Sequence, residues 1–287
     1  YLHILKEIYI LMDKLQYNTY IDNKTPIVDL SLRLKTPAEC CCTVTEYLCD
    51  DKSKKITTRI GWISGEFEIY HPDFGKVVPC ICTVQESQNN IIKFLWGNSG
   101  LTQLENNPTF DTFDFKKSVD SKLAFDNVYS WGFVETLAKN WLLLTGNYGL
   151  GKTHLCKAIT VALVSHKLGC TYLNANEFIE ECKSSFNVQG KYDNYIRRIK
   201  ASERLIIDDL GQEYATDWTR QVFYDLIDYR YSRDLPTIFT TNKAREQLEH
   251  SLGGATVDRI YDMNKTNLIE VRGESVRLFE SESKEKK

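Results

Sequence analysis

The 287-residue sequence predicts an α/β fold built on a doubly wound parallel sheet, and three observations predict it. From about residue 100 onward, apolar runs of strand length alternate with amphipathic stretches of helix length, the signature of β–α units. One of these runs, Trp141 to Leu144, leads directly into a glycine-rich turn, Gly146-x-x-x-x-Gly151-Lys152-Thr153. A later run, Leu205-Ile206-Ile207, ends in two acids, Asp208 and Asp209. Parallel strands joined by right-handed crossovers deliver their carboxyl ends to one edge, so the turn and the acids are expected to meet there.

The first hundred residues have a different character. Within Tyr1 to Tyr17, Leu5, Ile8, Met12 and Leu15 recur at helical spacing, which fits a core helix or an amphipathic docking helix. Lys6, Glu7, Asp13 and Lys14 interrupt the stretch, and the apolar core of a secretory signal would not tolerate them. Cys40, Cys41, Cys42, Cys49, Cys80 and Cys82 cluster here with His71-Pro72 and short β-prone runs such as Gly61-Trp62-Ile63. Residues 1–96 are therefore read as a small cysteine-containing N-terminal module. A connection at 97–123 follows, marked by Gly97, Gly100 and Asn106-Asn107-Pro108. The α/β domain is assigned to 124–279, and 280–287 is a charged tail expected to be disordered.

Within the α/β domain the apolar patterns predict five strands, at 141–145, 170–174, 204–208, 236–241 and 268–272. Helices are expected from Lys152 to about Lys167, at 176–184, 191–201 and 216–233, and a short one at 244–252.

Composition narrows the class. The 42% hydrophobic and 26% charged fractions are those of a soluble globular protein, and no run approaches the roughly 18 apolar residues of a membrane span. A formal net charge of −3 argues against unspecific coating of nucleic acid but leaves room for a local basic groove. Nine cysteines without a secretory signal point to the cytoplasm, where thiols stay reduced.

The glycine-rich turn has the phosphate-loop pattern. Its glycines let the backbone curl so that several N–H groups face phosphate oxygens, and the following helix adds its positive end. Lys152 can reach the β- and γ-phosphates, and the Thr153 hydroxyl can ligate Mg²⁺. The expected nucleotide contacts are Gly146, Asn147, Tyr148, Gly149, Leu150, Gly151, Lys152, Thr153 and His154. Asp208 would hold Mg²⁺ directly or through water, and Asp209 could orient and deprotonate the attacking water. Asn242, at the tip of the strand Pro236 to Thr241, can hydrogen-bond the γ-phosphate or that water, although Asn is also a favoured helix cap. Arg259 and Arg277 follow. A guanidinium on a γ-phosphate stabilises transition-state charge, yet spacing alone reads each as a surface or salt-bridged arginine.

Three strings carry a resemblance: Gly146 to Leu155, Leu205 to Gly211, and Tyr229 to Asn242. They resemble the bacterial replicative-helicase loaders of the DnaC/DnaI type, a group of AAA+ ATPases with a close relative in the transposition helper IstB. The similarity runs from about Gly61 to Leu278. It implies an AAA+ P-loop NTPase with a five-stranded parallel sheet flanked by helices, binding ATP and Mg²⁺. Gly146 to Thr153 match Walker A, Asp208 and Asp209 Walker B, and Asn242 sensor 1. Arg259 takes the place of an arginine finger acting on a neighbouring subunit's ATP, and Arg277 that of sensor 2. The resemblance implies a slow ATPase that depends on self-assembly through ATP-bound interfaces. Its implied role is to load a hexameric replicative helicase onto single-stranded DNA at replication initiation, with transposition target selection as the alternative.

In such loaders single-stranded DNA meets the AAA+ domain. Lys191, Arg197, Arg198 and Lys200, with Tyr192 and Tyr195 for stacking, are candidates, against a solvated helix face with two buried tyrosines. Some loader-like relatives hold a structural zinc in the N-terminal module through two cysteine pairs. Here the first pair is missing, and a site would have to use Cys49 or one of Cys40 to Cys42 with Cys80 and Cys82, and His71 as a spare ligand. Free buried thiols or a degenerate site are the other readings. Cys156, Cys170 and Cys182 read as core or surface thiols.

Overall fold

The computed structural model describes residues 43–48, 51–59, 62–64, 77–79, 81–101, 107–113, 120–134, 140–186, 188–212 and 215–273, with side chains from residue 84 onward. Two compact units divide the chain, Tyr1–Glu86 and Ser87–Lys287. In the first, β1 (Thr43–Leu48) pairs antiparallel with β2 (Asp51–Arg59), and β3 (Trp62–Ser64) with β4 (Val77–Pro79). The expected N-terminal helix, His71, Cys49, Cys80, Arg277 and the tail at 280–287 lie outside the described residues.

Helix α1 (Ile81–Asn98) carries the chain into the second unit, and α2 (Ser121–Phe133) precedes its sheet. The β–α units are β5 (Trp141–Thr145), α3 (Lys152–Ser165), β6 (Thr171–Asn174), α4 (Ala175–Ser185) and α5 (Lys191–Lys200). They continue with β7 (Leu205–Asp208), α6 (Asp217–Tyr231), β8 (Thr237–Thr241), α7 (Arg245–Leu252), α8 (Gly254–Ile260) and β9 (Thr266–Glu270). The expected five-stranded parallel sheet is present, in the order β6-β7-β8-β5-β9.

Both faces of that sheet are covered, which explains why its strands are continuous apolar runs rather than alternating ones. Trp141, Leu143, Ile207 and Phe239 face one core together with residues of α4, α6 and α8. Leu142, Leu144, Tyr172, Ile206 and Ile238 face the other, against α2 and α3. The edge of β6 is covered by the segment after α1: Tyr172 N–H donates to Ser99 O at 2.8 Å. Gly100 is required at that approach. Its φ is +75°, and a Cβ there would lie 2.0 Å from Tyr172 O.

Differences from the sequence expectation are local. Helices α1, α2 and α8 have no counterpart in it, because their sequences carry weak helical periodicity. The last strand begins two residues earlier than expected, since Thr266 pairs with Trp141 and the register with β5 sets its start. Leu101 and Phe113, in the stretch read as a connection, are buried in the α3-side core. Cys156, Cys170 and Cys182 are buried free thiols. No helix among the described residues is long and apolar enough to cross a membrane.

Among the described residues, Arg230 on α6 is the one charged side chain of the largest fully buried ones, at 1% exposure. Its guanidinium donates to Thr237 Oγ1 (3.0 Å), Lys200 O (3.0 Å), Ser202 O (2.8 Å) and Pro236 O (2.7 Å). Burial pulls its pKa down to about 10. The fork ties the end of α5 to the start of β8 through three backbone carbonyls, one of which, Pro236 O, also accepts from Leu205 N–H at 3.1 Å. Arg230→Ala should therefore lower stability by about 3 kcal/mol, read from the urea midpoint at unchanged m-value.

Candidate nucleotide-binding site

Parallel pairing aligns the strand ends. Thr145 on β5 lies opposite Thr241 on β8, and Ile207 on β7 opposite Phe239. The turn after β5, the acids closing β7 and the residue after β8 consequently occupy one edge of the sheet.

The turn cannot be built from other residues. Gly146 has φ +137°, and a Cβ there would fall 2.2 Å from Val271 O. Gly151 has φ +83°, and its Cβ would meet the Phe113 ring at 2.9 Å. Gly151 is also the N-cap of α3 and supplies no side-chain hydrogen bond, so the first helical N–H groups face the turn uncapped. Lys152, only 6% exposed, donates through Nζ to Gly146 O (2.7 Å) and Asn147 O (2.8 Å). Burial pulls its ammonium below the ordinary lysine value, while Asp209 and then Asp208 act in the opposite direction. The shared sheet edge places Lys152 and both acids in one electrostatic site.

Asp208 is fully buried and held from two sides. Tyr172 OH donates to its Oδ2 at 2.8 Å, and Thr240 Oγ1 donates to its Oδ1 at 2.6 Å. Each oxygen retains a lone pair for a metal-bound water. Thr240 Oγ1 also accepts from Asp209 N–H at 2.9 Å, so one hydroxyl positions both acids. Asp209 itself adopts the left-handed conformation, φ 57°, which turns the chain sharply at the strand end. Burial, and then the Asp208 carboxylate, keep the Tyr172 phenol protonated well above its ordinary range, so it remains a donor.

Asn242 follows β8. Its Oδ1 accepts from Gln212 Nε2 at 2.5 Å, whereas its Nδ2 is buried with no hydrogen-bond partner among the described residues. An uncommitted buried amide donor beside an uncapped helix start fits a phosphate oxygen. Together with Lys152, Thr153 at the second position of α3, and Asp208, these groups fit a triphosphate with Mg²⁺. The metal, when bound, supplies charge neutralisation at the β- and γ-oxygens.

Other expected site residues are placed differently. Leu150 is core, 6% exposed, and can offer only backbone. Tyr148 is exposed at the loop tip. His154 Nε2 is directed to the lead-in segment, 2.9 Å from Thr109 O and 3.2 Å from Thr112 Oγ1. Arg259 on α8 is ion-paired with Asp228 at 2.7 Å and lies over the Tyr224 ring, 4.9 Å from its centroid. Tyr195 packs near Phe178, and Tyr192 stacks on Phe186 at 4.6 Å, so both rings of α5 are engaged within this unit. Lys191 pairs with Glu181 and Arg198 donates to Asn98 Oδ1, while Arg197 is exposed. Among the described residues no group of three or more His, Cys, Asp or Glu could hold a metal ion. The zinc expectation falls on Cys49 and Cys80, which are outside those residues, and on Cys82, whose backbone alone is described.

Sequence reasoning missed Tyr172, Thr240 and Gln212. For Tyr172 and Thr240 the available signal was a hydroxyl within an otherwise apolar strand, since a buried hydroxyl needs a partner; Gln212 carried none.

The family described as IstB-like ATP binding protein matches residues 96–284, about two thirds of the chain. The chain belongs to this family. It is an AAA+ ATPase related to the DnaC, DnaI and IstB proteins. It is 29% identical over 170 residues to the replicative helicase loader DnaI of Bacillus subtilis, covering 58% of this chain and 52% of that protein. It is 26% identical over 194 residues to the insertion sequence IS5376 putative ATP-binding protein of Geobacillus stearothermophilus, covering 65% and 74%. The match thus spans about half the length of the helicase loader. AMPPCP-bound DnaA from Aquifex aeolicus shares the fold, with TM-score 0.53 and 19% identity over 64% of this chain and 57% of that one.

In this IstB-like chain, Tyr172→Phe removes one of the two donors that hold Asp208. ATP turnover should fall about three- to tenfold and require more Mg²⁺ for half-maximal rate, with the unfolding midpoint changed by no more than one lost hydrogen bond. Steady-state turnover across a Mg²⁺ titration measures this.

Proposed function

We propose that this protein is an ATP-driven loader that helps place a hexameric replicative helicase on single-stranded DNA. The observation that carries the reading is the convergence of Lys152, Asp208, Asp209 and the uncommitted Asn242 amide at one sheet edge, in a chain similar to a helicase loader. Lys152 and the α3 N-terminus hold the phosphates, and Thr153 and Asp208 hold Mg²⁺. Water attacks the γ-phosphorus, the bond to the β,γ-bridging oxygen breaks, and Asp209 takes the water's proton. Arg259 of one subunit completes the site of the next, after leaving Asp228, and Arg277 assists as sensor 2. Hydrolysis then switches assembly and release, and an isolated subunit turns over slowly. The first unit contacts the helicase. Arg197 and the neighbouring basic residues of α5 meet the DNA backbone, with the tyrosine rings serving the core. The working compartment is the cytoplasm.

The similarity to the IS5376 protein, of which the match covers 74%, favours a second reading, a helper in transposition target selection. The segment preceding the matched core favours the loader. Pull-down with the replicative helicase of the same genome, against its transposase, separates the two.

With helicase and single-stranded DNA present, Asp209→Asn should bind ATP normally and lose turnover about 10²-fold or more. Lys152→Ala should fail to bind nucleotide. Arg259→Ala should bind ATP without turning it over, and mixing it with Lys152→Ala should restore activity, because each variant supplies the half-site the other lacks. Equal, slow turnover by wild type and all variants under every condition would reject the ATPase motor.

A further inference from the structure

Gln212 stands between two parts of the site that no motif connects. It follows the turn after β7, where Gly211 has φ +88° and a Cβ would lie 2.5 Å from Leu248 Cδ2. That glycine lets the chain double back and present residue 212 to the phosphate loop. Gln212 Nε2 then makes two donations, to Asn242 Oδ1 at 2.5 Å and to Tyr148 OH at 3.0 Å. A primary amide nitrogen carries two hydrogens, so both are committed.

The polarity of this chain of bonds matters. Because Gln212 donates, Asn242 must accept through Oδ1, and its own Nδ2 is left on the opposite side. That nitrogen is the buried donor with no partner among the described residues. β8 lies next to β5 in register, so Asn242 follows Thr241 just as Gly146 follows Thr145. The free donor therefore belongs to the phosphate-loop edge of the sheet.

We propose that Gln212 is a positioning residue that sets the hydrogen-bond polarity of Asn242, and so the preference of the site for a nucleoside triphosphate over a diphosphate. It also ties that setting to the loop tip through Tyr148. The proposal rests on the reading of Asn242 as the γ-phosphate contact. A γ-phosphate presents only acceptor oxygens, so it gains from Nδ2 and would be repelled by Oδ1. A glutamate at 212 has nearly the same shape but only acceptors. It would draw Nδ2 toward itself and turn Oδ1 to the phosphate.

The test uses the full chain, with ADP and a non-hydrolysable ATP analogue titrated in the presence of Mg²⁺, and circular dichroism to verify folding. Asn242→Ala should lower the triphosphate-over-diphosphate preference. Gln212→Ala should lower it about two- to tenfold, with ADP affinity within about twofold of wild type. Gln212→Glu should lower it further than Gln212→Ala, an order that loss of packing would not produce. In the Asn242→Ala background, Gln212→Glu should add little, because no amide remains to be turned. If Asn242→Ala loses the preference while both Gln212 variants keep it, the role of Gln212 is rejected and the Asn242 reading stands. If Asn242→Ala keeps it, both are rejected. Equal weakening of ADP and the ATP analogue by the Gln212 variants would make Gln212 a structural residue and also overturn the proposal.

Discussion

The parallel pairing of β5 with β8, from Trp141 opposite Thr237 to Thr145 opposite Thr241, is the constraint on which the site depends. It puts Gly146 and Asn242 one residue beyond a shared register, and the pairing of β7 with β8 then brings Asp208 alongside Thr240. The backbone ladder is locked by side chains that cannot slide. Trp141 is completely buried, donates through Nε1 to Leu235 O at 2.9 Å, and meets Phe239 edge-on at 5.1 Å. A slip of one residue would turn Trp141 to the α3 side and Leu142 to the other, exchanging the two cores.

On that frame, strand order decides which side chains share a carboxylate. β7 lies between β6 and β8, so Asp208 receives a hydroxyl from each neighbour, Tyr172 on one side and Thr240 on the other. Residues 172, 206, 208, 238 and 240 have matching parity along their strands and face α3, the helix that follows the phosphate loop. The buried acid is thus held by two neutral hydroxyl donors, which leave its charge available to a metal. The same economy of placement holds at Asn242, where Gln212 satisfies the oxygen and leaves the nitrogen uncommitted.

The lead-in segment before α2 has a part in this arrangement as well. Thr109 and Thr112 engage His154, and the Phe113 ring lies over Gly151. The phosphate loop is consequently supported from outside by residues that precede it by about 40 positions, which explains why a stretch with connector-like composition contains a buried Phe113.

The sequence by itself determined the parallel α/β core, the five strands to within two residues, the phosphate loop and the acid pair. These are local patterns: apolar runs of strand length, glycines at fixed spacing, and charges at a strand's end, each readable within a dozen residues. It also marked Asn242 by its place at the tip of β8. Tertiary structure alone decided the partners of those residues. Tyr172, Thr240 and Gln212 look unexceptional in sequence, because what they touch depends on which strands become neighbours. Crossover order sets that, over separations of 30 residues or more. Helix α8 likewise emerges only through packing, as Val257 and Ile260 are buried against the sheet-side core although Gly254 opens the helix without a capping side chain.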